Sequence, residues 1–126
     1  MVLVLNDKNG KKVGFSYAWN GIQTVFKREK NFRIHLIAMV LVIVMGIFFT
    51  LSLLEWLVIG LIITVVLVAE VLNSAIERTV DYISTDIHPD AKVIKDMAAG
   101  AVLIAAIGSI IIGLIIFIPK IYRFLF

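Results

Sequence analysis

An all-α membrane protein, with an N-terminal amphipathic surface helix ahead of three transmembrane helices, is the fold this sequence predicts. Three observations lead there. The 126 residues are 61% hydrophobic with a mean hydropathy of +1.04, well above the roughly 45–50% apolar share of an average soluble domain. A soluble core of this size could not hide so much apolar surface. Leu36 to Leu54 and Met97 to Ile118 hold no charged residue, and each stretch is close to the roughly 20 residues that cross a hydrocarbon core of about 30 Å. Basic residues gather ahead of the first stretch, at Lys8, Lys11, Lys12, Lys27, Arg28, Lys30 and Arg33.

The elements follow in order along a single domain, 1–126. Phe15, Ala18, Trp19, Ile22, Val25 and Phe26 recur at helical spacing between basic flanks, which predicts a helix lying on a membrane surface over about 14–33. The next position of that apolar stripe is Glu29, which is misplaced against lipid and is expected to turn into the protein. The first span is expected at about 34–54 and the second at about 56–83. From Trp56 to Ala69 the uncharged run makes only about 21 Å of helix, so the second span must continue through Glu70 and stop near Glu77. The third span, about 90–118, starts at His88-Pro89-Asp90, where proline suits the first turn and His or Asp can cap. No apolar stretch at the N-terminus has a signal-peptide layout, and no internal repeat is visible.

Orientation follows the distribution of positive charge. The N-terminal cluster and Arg78, Lys92 and Lys95 around the second loop outnumber Lys120 and Arg123. The N-terminus is therefore expected in the cytoplasm and the C-terminus outside. The net charge of +3 is modest, and no nucleic-acid partner is expected. Cysteine is absent, which excludes disulfides and thiolate metal sites.

The second span carries the informative residues. At about 100° per residue, Glu70, Asn73, Ser74, Glu77 and Asp81 share one stripe, opposite Val71, Leu72, Ile76, Thr79 and Val80. Counted from Trp56, Glu70 lies about 21 Å deep, near the inner edge of the hydrocarbon, and Glu77 lies about 31 Å deep, at the boundary. A charge in that layer costs at least about 2.5–3.5 kcal/mol, so Glu70 is a functional candidate. No cation is expected at its depth. Plainer readings exist for the rest. Asn73 and Ser74 can join helices by hydrogen bonds. Glu77 can be a solvated interfacial charge, Glu29 a helix-end charge, and Lys95 and Asp96 snorkelling residues.

As chemistry, Glu29 and Glu77 are hard oxygen ligands suited to magnesium held together with phosphate oxygens. Lys95 can pair with phosphate as a point charge. Glu70 occupies a drier place that suits general-base work. A small proton-coupled transporter could use Glu70 as well. Three spans look too few to enclose the ladder, so oligomerisation is expected. The small residues Ala98, Gly100, Ala101, Gly108 and Gly113 would let helix backbones approach.

"AEVLNSAIERTVD" resembles the E-x-L-N-[ST]-A-I-E-x-x-x-D signature of the bacterial integral-membrane diacylglycerol kinase family. "KDMAAGAVL", "YAWNG" and the Glu29-x-x-Phe32-Arg33 pattern resemble further elements of it, and the likeness runs from about Phe15 to about Ile112. "KKVGFSYAWNGIQTVFKREKNFRIH" and the tail "IPKIYRFLF" are similar to its undecaprenol kinase branch. The resemblance implies a homotrimer with shared sites in the bacterial cytoplasmic membrane. It implies transfer of the ATP γ-phosphate, with magnesium, to undecaprenol, giving undecaprenyl phosphate; the alternative lipid is diacylglycerol, giving phosphatidate. It makes Glu70 the general base and Glu29 and Glu77 the magnesium ligands, supported by Asn73, Ser74 and Asp81. Tyr17, Asp86, His88, Lys95 and Asp96 join Glu29 and Glu77 around the nucleotide, and Trp19 and Arg33 join Glu70 at the lipid. The family's early N-terminal arginine is replaced by Gly10, for which Lys11 or Lys12 could substitute. Pro89 also departs from the family pattern.

Overall fold

The computed structural model describes residues 14–83 and 88–126, and among them lie four α-helices and no strand. They are α1 (Gly14–Arg28), α2 (Lys30–Phe48), α3 (Leu53–Ile83) and α4 (Pro89–Leu125). The last three are long and apolar enough to cross a membrane. At 31 residues α3 is about 46 Å long. That exceeds a hydrocarbon core of about 30 Å, so its Glu77 end extends past the apolar layer. α4 packs chiefly along α3, α2 rests on α3, and α1 touches α2 and α3.

α1 buries none of its residues. Phe15, Trp19, Ile22 and Phe26 all point away from the other helices, as a helix lying on a bilayer requires. It stops at Arg28, short of the boundary expected at 33. Glu29 adopts an extended backbone, φ −106° and ψ 110°, and α2 begins immediately after it. Arg33 holds this break: its Nη1 donates to the carbonyls of Phe26 at 2.8 Å and Lys27 at 3.1 Å. Those are among the last carbonyls of α1, which have no partner within their own helix.

The α2–α3 turn falls at 49–52, earlier in the chain than the expected boundary at 54–56. Phe49 and Leu51 donate their amides to Met45 and Gly46 carbonyls, and Thr50 takes a left-handed φ of 52°. Ser52 and Glu55 then form a capping box. The Ser52 amide donates to Glu55 Oε1 and the Glu55 amide donates to Ser52 Oγ, both at 3.2 Å. α3 therefore starts at Leu53, within the stretch assigned to the first span. The other oxygen of Glu55 accepts from Lys120 Nζ at 3.1 Å, so this positive charge is paired at the turn end of the bundle.

α4 runs beyond the expected end at 118, straight through Pro119. The proline forfeits one helical hydrogen bond. The Lys120–Glu55 pair and edge-to-face packing of Phe124 on Phe48 and Phe49 hold the turns that follow. His88 caps the other end of α4: its Nδ1 accepts from the Asp90 amide at 3.1 Å, with Pro89 in the first turn.

Leu51, Ile59 and Phe117 form the buried core at the turn end, with Met45, Phe49 and Trp56 packed against them. Gly46 is part of that fit. A Cβ there would stand 2.6 Å from the Trp56 ring and 2.9 Å from Leu51 Cδ1, whereas a Cβ at Gly60 would meet nothing within 4 Å. Gly46→Ala is predicted to lower unfolding stability in detergent by about 1–3 kcal/mol, the usual cost of overpacking. Gly60→Ala should leave the thermal midpoint unchanged or raise it. Equal effects of the two changes would contradict a close approach at Gly46.

Candidate active site

The opposite end of the bundle is where polar groups meet. One stripe of α3 turns Glu70, Asn73 and Ser74 inward, leaving them 2%, 9% and 2% exposed. Glu77 is half-buried one turn further on, and Asp81 is exposed beyond it. Asn73 Nδ2 donates to Glu77 Oε1 at 3.4 Å. Asn73 Oδ1 and Ser74 Oγ are buried without a hydrogen-bond partner among the described residues. Orphaned polar atoms cost stability, so each calls for an explanation such as a ligand, ion or water.

Glu29 reaches this cluster through the break between α1 and α2. It is half-buried, and its charge, like that of Glu77, acts on the Glu70 carboxylate. The ladder and Glu29 thus converge within one chain. A single chain also buries Glu70, Asn73 and Ser74 by itself, which corrects the argument that neighbouring protomers are needed to enclose them. α1 and the first turns of α2 supply the wall that counting spans left out. Not all the small residues of α4 serve contacts within the chain. Ala98 is buried, but a Cβ at Gly100, Gly108 or Gly113 would meet nothing within 4 Å.

Sequence reasoning missed one member. His35 Nε2 on α2 lies 3.8 Å from Glu70 Oε2, so a group able to carry positive charge does stand at the depth of Glu70. A depth count could have found it. His35 is about 8 Å along α2 from Lys30, and Glu70 about 10 Å along α3 from Glu77, both measured from the same end of the bundle. His35 also borders an apolar cavity of about 350 Å³ between α2, α3 and α4, lined by Met39, Val42, Ile59, Val66 and Phe117 among others.

The remaining candidates are placed as follows. Lys95 Nζ bridges α4 to α3 through Asp81 Oδ1 at 2.5 Å, and Asp96 accepts from Lys92 at 2.6 Å. His88 is engaged as the cap of α4 and Arg33 as the cap of α1. Tyr17 is half-buried on α1, and Trp19 is half exposed on its apolar stripe. Among the described residues, no side-chain hydrogen bond ties Tyr17, Trp19, His88 or Asp96 to the Glu70 cluster. Asp86, Gly10, Lys11 and Lys12 lie outside the described residues.

Among the described residues, no group of three or more His, Cys, Asp or Glu side chains is placed to hold a metal ion unaided. Glu29 and Glu77 offer two carboxylates, and the unpartnered Asn73 Oδ1 adds a third hard oxygen beside Glu77. Such a set fits magnesium whose coordination is completed by water and phosphate oxygens.

A helical membrane protein with one buried and two half-buried carboxylates toward one end of its spans is the class these features define. The sequence profile described as prokaryotic diacylglycerol kinase matches residues 16–117, and the chain belongs to that family. It is similar to the undecaprenol kinase of Bacillus subtilis (strain 168), with 44% identity over 91% of this chain and 94% of the relative. It is 40% identical to the diacylglycerol kinase of Synechocystis sp. (strain ATCC 27184 / PCC 6803 / Kazusa), over 85% of this chain and 62% of that longer one. It is 33% identical to the diacylglycerol kinase of Escherichia coli (strain K12), over 75% of this chain and 78% of the relative. The protein is a lipid kinase that crosses the bacterial membrane several times.

Because Glu29 and Glu70 converge in one chain, the two should belong to one site. Mixing an inactive Glu29→Gln chain with an inactive Glu70→Gln chain is predicted to restore no activity. Recovery of a substantial part of the wild-type rate in the mixed sample would place the two glutamates in different protomers.

Proposed function

We propose that this kinase transfers the γ-phosphate of ATP to the hydroxyl of undecaprenol, giving undecaprenyl phosphate and ADP. The observation that carries the reading is the 2%-exposed carboxylate of Glu70, set within a membrane helix with Glu29 and Glu77 toward its polar end. A lipid hydroxyl that stays in the bilayer can meet a base at that depth, while a nucleotide can reach the carboxylates from water. Undecaprenol is favoured over diacylglycerol by the similarity to the Bacillus subtilis enzyme, which spans nearly the full length of both chains.

In this mechanism the lipid oxygen attacks the γ-phosphorus. The new O–P bond forms as the bond from phosphorus to the bridging oxygen breaks, and ADP departs. Glu70 takes the hydroxyl proton. Glu29 and Glu77, with Asn73 beside them, would hold magnesium, which when bound neutralises phosphate charge. Lys95 sits at the same end and can turn from Asp81 to a phosphate. On this reading Tyr17, His88 and Asp96 serve the nucleotide, and Trp19 and Arg33 serve the lipid. On this reading α1 and the Glu77 end of α3 lie on the cytoplasmic side, with the α2–α3 turn and the C-terminus outside, as the positive charges favour. The open space beside Gly100 and Gly108 would accept neighbouring protomers in a homotrimer.

Purified protein supplied with magnesium and ATP is predicted to phosphorylate undecaprenol faster than diacylglycerol. Glu70→Gln should keep the fold and nucleotide binding while lowering turnover by at least about 10²-fold, the low end for loss of a general base. Turnover within about threefold of wild type would remove Glu70 from that role. Failure with both lipids, alongside a proton flux, would replace the kinase reading of the site with a transport one.

Changing Glu29 or Glu77 to Gln is predicted to weaken magnesium-dependent ATP binding. The deficit should shrink as magnesium is raised, because a lost ligand lowers metal affinity. A binding defect indifferent to magnesium concentration would instead assign these carboxylates to packing.

A further inference from the structure

Glu70 is nearly inaccessible, and the group that faces it is a histidine. His35 Nε2 stands 3.8 Å from Glu70 Oε2, with the imidazole 25% exposed and the carboxylate 2% exposed. Among the described residues, His35 is the one cationic or potentially cationic side chain paired with Glu70. The other charges that act on it, those of Glu29 and Glu77, are both carboxylates that repel it. These neighbours repel the Glu70 carboxylate and offer it no hydrogen-bond donor that would fix one of its oxygens.

The placement of His35 is specific in a second way. It is the residue of α2 that both faces Glu70 and borders the apolar cavity between α2, α3 and α4. Apart from His35, the polar side chain at that cavity is Ser109, which donates to the Ala106 carbonyl of its own helix. A histidine facing an apolar cavity would be a costly choice if filling space were its whole task. Contraction by less than about 1 Å would bring Nε2 to hydrogen-bond distance of the carboxylate. Catalytic hydrogen bonds often tighten in this way when substrate binds.

Resting on the reading of Glu70 as the base, we propose that His35 is a positioning residue for it. Its Nε2–H engages Glu70 Oε2 and turns the other oxygen, Oε1, toward the lipid hydroxyl. His35 acts through Glu70 and takes no proton from the lipid itself. One carboxylate oxygen is tied down and one is free, so the base meets the hydroxyl in a single geometry. Misplacing a reacting group by about 1 Å can cost about 10²-fold in rate.

The experiment compares three substitutions in the full-length protein, assayed with magnesium, ATP and whichever of undecaprenol and diacylglycerol the wild type turns over. His35→Leu fills the space without a donor. His35→Gln carries an amide N–H near the position of Nε2. His35→Asn carries one near Nδ1, which does not reach Glu70. The expected result is a kcat lowered about 10- to 10²-fold for His35→Leu, with KM for ATP within about twofold of wild type. His35→Gln should recover to within about threefold, and His35→Asn should remain as impaired as Leu. In a Glu70→Gln background, His35→Leu should cause no further loss.

A fully active His35→Leu protein would overturn the proposal and leave His35 a packing residue. If His35→Leu does not fold, judged by helical content and thermal unfolding, the decision passes to the Gln and Asn pair. Equal activity of those two would also overturn it. The underlying assignment fails separately: if Glu70→Gln alone turns over at near the wild-type rate, the base reading falls whatever His35 does. An inactive Glu70→Gln protein beside a fully active His35→Leu protein removes His35 alone.

Discussion

A carboxylate cannot be left alone in hydrocarbon, and the burial of Glu70 is the constraint on which the rest of this structure depends. The cost of a charge in the apolar layer is at least about 2.5–3.5 kcal/mol. The fold meets it by surrounding Glu70 with its own chain. α3 is long enough to carry the residue inside the apolar layer and still emerge into water beyond Glu77. α2 sets His35 against it. The break at Glu29 lets the chain turn from the membrane surface into the first span, and Arg33 secures that break by capping α1. Remove the break and Glu29 would continue the stripe of α1 that faces lipid.

The two ends of the bundle are built on opposite principles. At the α2–α3 turn, apolar packing closes the molecule: Trp56 lies over Gly46, Leu51, Ile59 and Phe117 interlock, and Lys120 joins the Ser52–Glu55 capping box. Hydrogen-bonding capacity at that end is spent on backbone groups. At the other end, Asn73 Oδ1 and Ser74 Oγ are buried without partners among the described residues, and Glu29 and Glu77 bring like charge to bear on Glu70. Like charges and orphaned acceptors both oppose folding. Their presence is what a site waiting for a cation and phosphate groups would require. The packed end offsets that cost, since the same long helices run through both.

Much of this was legible in the chain. The three spans follow from uninterrupted apolar length, the surface helix from the spacing of Phe15, Trp19, Ile22 and Phe26, and the start of α4 from His88-Pro89-Asp90. The inward stripe of Glu70, Asn73, Ser74 and Glu77 follows from a 100° turn per residue, which is a local property of any helix. Boundaries were read less well where side chains decide them. The capping box of Ser52 and Glu55 is visible as S-x-x-E, yet charge counting placed Glu55 in a loop. The uncharged run ends at Ile118, but distant aromatic contacts and Lys120 keep the helix going.

What the sequence determined by itself is therefore the kind of element at each position and which residues share its polar face, because helical period and hydropathy are local. What only the tertiary structure decided is which faces meet. That Glu29 turns in at a break, that His35 rather than another residue opposes Glu70, and that one chain buries Glu70, Asn73 and Ser74 all depend on how α1 and α2 sit against α3. Those relations join residues far apart in the chain through packing and Coulomb interactions across space. No periodicity within a single helix encodes them.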